Sequence, residues 1–292
     1  MTALRWRTTS TPLPSAAGLL VFAGFVAVLA GCHRSRPAPA PQPTTPARTP
    51  PRSTPTPSTA EGAAITSGAT LVRAMRELYT NSWYHTVTFR QRTTIVNTTN
   101  GHEFVQTWFG AGAFPGRLRI DTDLASKTGT LYRRDSIYSF NAGKLVTADT
   151  GTYEPLMLGF DLYTQPAARS DADLRRLGFD LSRFHEGTWQ GRPVFIVGAE
   201  RGDTTSKQFW VDRERLLTVR LLERTARGRT DIRFNKYIRT DKGAWVASEV
   251  EQYANGKLRL REEYSDIRTG VPLADALFEP KDWATAPHWT RP

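Results

Sequence analysis

The sequence predicts a mainly β (α+β) protein: one strongly curved antiparallel sheet of about ten or eleven strands, with about three short helices packed in its concave face. Three observations carry this. Apolar residues alternate with period two over most of the chain beyond residue 83. The alternating runs are short and joined by tight turns, which suits antiparallel neighbours and leaves no room for βαβ crossovers. The helical stretches are too few and too short to form a layer of their own.

The chain has 292 residues and opens on a stretch outside that sheet. Arg5 and Arg7 precede the apolar run AAGLLVFAGFVAVLA at 16–30, which Gly31 and Cys32 close; Cys32 is the only cysteine. A basic start, an apolar core and small residues before a cut are the parts of a secretory signal. The run falls short of the roughly 20 apolar residues that span a bilayer. Leu29-Ala30-Gly31-Cys32 resembles the lipobox of bacterial lipoproteins. That resemblance implies removal of residues 1–31 as a signal peptide and a lipid attached to Cys32. Two or three acyl chains, at about 0.8 kcal/mol per buried CH₂, anchor a protein firmly. His33, where an Asp would favour retention in the inner membrane, points to the outer membrane facing the periplasm. The alternative is an uncleaved anchor helix with an incidental thiol.

Residues 32–60 form a tether with nine prolines and no aromatic residue after Cys32. Such a segment buries too little to offset its ordering entropy, so an extended, polyproline-biased spacer is expected. All of the first 60 residues' charge is six arginines, so the net charge of +11 falls to about +5 from Glu61 onward. Much of the basicity therefore belongs to signal and tether, and it does not point to nucleic acid. Without a second cysteine the remaining chain, 61–292, relies on an ordinary core, and it is long enough for one large domain.

Leu71, Val72, Met75, Leu78 and Tyr79 mark the apolar stripe of a helix from about Ser67 to Thr80. From Trp83 the period becomes two: Trp83, His85, Val87 and Phe89 share one face of a long strand. Asn100-Gly101 suggests a type I′ hairpin turn, returning the chain through Phe104, Gln106, Trp108 and Gly110. Short strands follow near 117–122, 129–134, 136–140 and 144–148. Leu156, Met157, Phe160 and Leu162 suggest a short apolar helix, and Ser170 with Asp173 a capping box for another. Strands resume at Phe184 and continue as hairpins to Arg268, and Leu277 and Phe278 are expected to cover an edge of the sheet.

No HExxH, CxxC, GxSxG, P-loop or GxGxxG motif occurs, and the histidines lie at no metal-ligand spacing. Glu262 and Glu263 point to opposite faces of a strand, which does not suit paired acid/base work. The reading is a non-enzyme with no cofactor and no metal.

Phe89-Arg90-Gln91, Phe114-Pro115-Gly116-Arg117-Leu118-Arg119-Ile120-Asp121, Phe209-Trp210-Val211-Asp212 and the closing Asp275 to Pro280 resemble, in their order, the LolA/LolB superfamily of lipoprotein carriers and receptors. The resemblance implies an unclosed half-barrel with helices as a lid. Carriers of the family keep an Arg directly before the Pro that opens the third strand, important for closing the lid; Phe114 stands there, which favours the tethered receptor side. On this reading Trp83, Val87, Phe89, Phe104, Trp108, Leu118 and Ile120, with lid residues Leu156, Met157 and Phe160, hold acyl chains of a lipid or lipoprotein. The competing expectation is a packed scaffold that contacts envelope proteins and has no ligand cavity.

Overall fold

Thirteen antiparallel strands make one sheet, in the order β6-β5-β4-β3-β2-β1-β13-β12-β11-β10-β9-β8-β7. The computed structural model describes residues 64–226, 228–241 and 243–290. The signal, Cys32 and the tether lie outside the described residues. The first meander comprises β1 (Thr86–Val96), β2 (Glu103–Ala113), β3 (Arg117–Asp123), β4 (Thr128–Arg133), β5 (Ser136–Asn141) and β6 (Lys144–Thr150). The second comprises β7 (Phe184–Trp189), β8 (Arg192–Val197), β9 (Gln208–Asp212), β10 (Thr218–Thr225), β11 (Gly228–Arg239), β12 (Trp245–Ala254) and β13 (Lys257–Thr269). Every pairing joins neighbours in sequence except β1 with β13, which fuses the two meanders. The edges β6 and β7 stay apart, so the barrel is unclosed. The count exceeds the expected ten or eleven, and the four short runs between Arg117 and Thr150 each pair as a strand, as their spacing predicts.

Between the meanders the chain is helical: α2 (Glu154–Leu156), a π-helical turn (Met157–Asp161), α3 (Leu162–Thr164) and α4 (Ala167–Arg176). The N-terminal helix α1 (Gly68–Tyr79) begins at Ser67, whose hydroxyl accepts from the Thr70 amide while the Thr70 side chain answers on the cap. Its buried stripe is Leu71, Val72, Met75 and Tyr79. Leu78, on the flank of that stripe, is exposed. Among the described residues no helix is long and apolar enough to cross a membrane.

Four local expectations are corrected. The strand begins at Thr86, so Trp83 and His85 lie in the connection after α1. The Asn97–His102 loop is wider than a type I′ turn, because the Asn97 side chain accepts the Thr99 amide and only Gly101 takes a positive φ. Ser170 and Asp173 lie inside α4, whose N-cap is Pro166. Leu277 and Phe278 cover the outer face of the sheet, not an edge, packing with Trp283 on Ala111, Ala113, Leu131 and Phe140.

Register decides which side chains face inward. Phe89 lies opposite Gly110 and Val87 opposite Gly112, and these glycines oppose Ile120 and Leu118 on β3. A Cβ at Gly110 would fall 2.1 Å from Phe89 Cζ, so the ring lies flat over bare backbone. Gly110→Ala is expected to lose about 1–3 kcal/mol through overpacking, read from urea unfolding.

Candidate functional site

The concave face has two zones. In the first, α1 and the lid helices press against inward residues of nearly every strand. Of the residues singled out by sequence, Trp83, Val87, Leu118, Leu156 and Met157 are buried in this one core, and Phe89, Ile120 and Phe160 pack on it. Trp83 stacks on Tyr163 of the lid at 3.9 Å between ring centroids, and its indole N–H has no hydrogen-bond partner. A buried donor without an acceptor costs about 1–3 kcal/mol, a sign of strain or function.

The lid is held by mixed contacts. Phe114 stacks on Phe160 at 4.4 Å with an interplanar angle of 16°. Beside that stack the Gly116 amide donates to the Asp161 carboxylate at 2.9 Å. The Thr218 hydroxyl donates to the Leu158 carbonyl at 2.9 Å and its amide to the Tyr163 hydroxyl, also at 2.9 Å. Lys207 pairs with Glu154. Burial pushes the Asp161 carboxyl up to about 7 against the opposing pull of the Gly116 amide and Arg134. Next to it a crevice of about 20 Å³, lined by Gly116, Arg134, Asp161, Gln165 and Asp173, has room for about one water. The apolar zone is therefore filled by the protein's own side chains.

The second zone is polar, and β2, β1 and β13 build it in two registered rows. Trp108, Gln91 and Tyr264 oppose one another, and so do Gln106, Thr93 and Glu262. Side chains within the band bond to each other: Gln91 Nε2 to Thr93 Oγ1 at 2.9 Å, Trp108 Nε1 to Gln106 Oε1 at 3.0 Å, and the Tyr264 hydroxyl to Glu262 Oε2 at 2.6 Å. Glu262 is only 7% exposed, and burial pushes its carboxyl up to about 7 despite hydrogen bonds from Tyr264 and Gln91. Tyr153, at the start of the lid, and Tyr132, stacked on it at 4.4 Å, face this carboxyl. Beyond the band an apolar row of Phe104, Ile95 and Leu260 leads to the hairpin tips.

Two sequence candidates thus fall outside the packed core. Phe104 is 46% exposed at the rim, and Trp108 belongs to the polar band. Sequence reasoning missed Gln91, Thr93, Glu262 and Tyr264. The signal is present in the alternation Leu260, Glu262, Tyr264, which sets one acid on an otherwise apolar inward face. Glu263, as expected, points outward, where it pairs with Arg92 at 2.7 Å. Among the described residues no group of three or more His, Cys, Asp or Glu is placed to hold a metal.

A groove of about 280 Å³ lies on the opposite, convex face, lined by Arg119, Asp121, Leu124, Lys127, Trp283 and His288. Arg119 grips Asp121 with two hydrogen bonds of 2.8 and 2.9 Å and lies 3.8 Å from the Trp283 ring. His288 Nδ1 lies 3.1 Å from the Thr290 amide nitrogen, and its Nε2 lies 3.5 Å from an Asp121 carboxylate oxygen.

No family model and no curated protein matches this sequence. Solved structures do. An outer membrane lipoprotein-sorting protein domain from Vibrio parahaemolyticus superposes with a TM-score of 0.50 at 10% identity, over 73% of this chain and 97% of that one. A DUF1329 family protein from Desulfovibrio piger gives 0.49 at 17% identity, over 73% and 95%. A LolA superfamily protein from Nitrosomonas europaea gives 0.47 at 14% identity, over 74% and 98%. The chain shares the fold of the lipoprotein-sorting protein domain: one unclosed antiparallel half-barrel with helices over its concave face.

Proposed function

We propose that this protein is a membrane-anchored lipoprotein whose half-barrel binds acyl chains of a lipid or lipoprotein, on the receptor side of lipoprotein sorting or in envelope lipid handling. The observation that carries the reading is the cover on the concave face. It is closed by a short, broken helical segment and not by a second sheet, so an apolar surface becomes available whenever that segment lifts. The aromatic pair Phe114–Phe160 supports a lid that opens to apolar cargo, since stacking is lost to an acyl chain without stranding a charge. The lipobox-like Cys32, the proline-rich tether and His33 support an anchor in the outer membrane facing the periplasm.

Phe160→Ala removes the stack and is expected to weaken the closed lid by about 1–2 kcal/mol. That raises the open population roughly five- to thirty-fold. Stopped-flow uptake of a fluorescent long-chain acyl probe should accelerate accordingly; unchanged uptake would contradict a lid gate. Mass spectrometry of the full chain, purified with whatever accompanies it, tests the reading as a whole. The expected result is an acylated Cys32 and a co-purifying acyl lipid; a bare thiol and no lipid would sink it.

One observation favours a second reading. The apolar zone is filled, with a water-sized crevice beside the lid, as a scaffold that only contacts envelope proteins would have it. A chain that takes up no acyl probe, even as Phe160→Ala, would decide for the scaffold.

A further inference from the structure

The polar band crosses the same concave face as the apolar core and adjoins it, Tyr264 packing edge-on against Phe89 at 5.0 Å. The row Gln106, Thr93, Glu262 and the row Trp108, Gln91, Tyr264 separate two apolar stretches: Phe89 over Gly110 on the lid side, and Phe104, Ile95 and Leu260 on the rim side. A ligand made of hydrocarbon alone would leave Gln91, Gln106 and Glu262 facing an apolar neighbour, at a desolvation cost that a polar head would relieve. The composition of the band also fixes the sign of that head. Neither the two rows nor the apolar rows flanking them contains Lys, Arg or His. The groups that face the Glu262 carboxyl are neutral: Tyr264 from β13, Gln91 and Thr93 from β1, Tyr153 from the lid and Tyr132 from β4.

We infer that the concave face takes an acyl compound whose head is neutral and rich in hydroxyl or amide donors, of the acylglycerol kind, and that Glu262 turns away anionic heads. The inference rests on the acyl-binding reading. A hydroxyl of the head donates to the Glu262 carboxylate and receives from the Gln91 or Gln106 amide, groups that otherwise bond only within the band. A phosphate in the same place meets a carboxylate with no cation to compensate it.

The test compares 1-oleoylglycerol with 1-oleoylglycerol 3-phosphate, which share chain and glycerol and differ in the anionic group. Binding to the full chain is measured by displacement of a fluorescent acyl probe at about pH 8.5, above the Glu262 value of about 7. The neutral compound is expected to bind at least about tenfold more tightly, and E262Q to reduce that ratio to near one by gaining affinity for the phosphate. The native protein at about pH 5.5, where Glu262 carries its proton, is compared with its state at about pH 8.5 using 1-oleoylglycerol 3-sulfate, whose monoanion does not titrate between those values; it gives the same narrowing without a substitution and so covers a variant that folds poorly. Equal binding of the two compounds, or a ratio that neither E262Q nor the lower pH narrows, overturns the assignment of the head while leaving acyl binding intact. Binding of neither compound, with no displacement of the probe, overturns the acyl reading itself and this inference with it.

Discussion

Arg119→Ala is expected to cost about 3–5 kcal/mol of stability. The side chains of Arg119 and Asp121 are 4% and 2% exposed, side by side on the outward face of β3. Truncating the arginine removes both of its hydrogen bonds to the buried Asp121 carboxylate and leaves that group with His288 Nε2 at 3.5 Å as its nearest cationic neighbour. It also removes donors to the Leu277 and Trp283 carbonyls, at 3.5 and 3.2 Å, which tie the C-terminal segment to the sheet. Trp283 would lose a cation above its ring, though it keeps its stack on Phe140 at 4.3 Å and its N–H bond to the Lys127 carbonyl. The double replacement Arg119→Met, Asp121→Leu removes both charges and is expected near the native stability, because the desolvation cost of the pair roughly offsets its attraction. Urea unfolding of the three proteins checks both statements. A loss below about 1 kcal/mol for Arg119→Ala would show that the ion pair is wetter than its burial says.

Glu262 should make the protein less stable as pH rises. Burial lifts its carboxyl from an ordinary 4.5 to about 7, so the folded state holds this proton more tightly than the unfolded chain does. The favourable contribution is complete below about pH 4.5 and is lost as pH rises through about 7. Roughly two and a half pH units, at about 1.4 kcal/mol each, correspond to about 3 kcal/mol. E262Q carries no proton to lose. Its stability relative to the native protein should be near zero at about pH 4.5 and reach about 3 kcal/mol in its favour above about pH 8. A constant difference across that range would mean that the carboxyl is solvated. Asp161, also raised to about 7 by burial, acts in the same window and with the same sign, so Asp161→Asn removes a second share of the pH dependence.

The sheet is legible in the sequence because half-buried strands must alternate. Val87, Phe89, Leu118 and Ile120 fall on the inward face for that reason, and the register sets them opposite one another. Trp83 obeys the same alternation yet sits outside β1, since its pattern is continuous with that of the strand while its position is fixed by the stack on Tyr163. Which strands meet across the long connection is invisible to local pattern. The pairing of β1 with β13 places Glu262 beside Thr93, residues far apart in the sequence, and so hides the polar band from any reading of single strands. The filling of the concavity is hidden for a related reason: an apolar inward face looks the same whether a helix or an acyl chain covers it. Phe114 shows both sides of this. The sequence marks it as a departure from the Arg of the carriers it resembles, and only the structure supplies Phe160 as its partner.

The most direct test is photocrosslinking of the full chain with an acylglycerol that carries a diazirine in its acyl chain, followed by peptide mapping. If the half-barrel holds acyl chains beneath its lid, label is expected on β1 and β3 around Phe89 and Ile120 and on the lid around Phe160, and it should increase in Phe160→Ala. Label confined to the convex groove around Trp283, or no label above that of an unrelated protein, would contradict it.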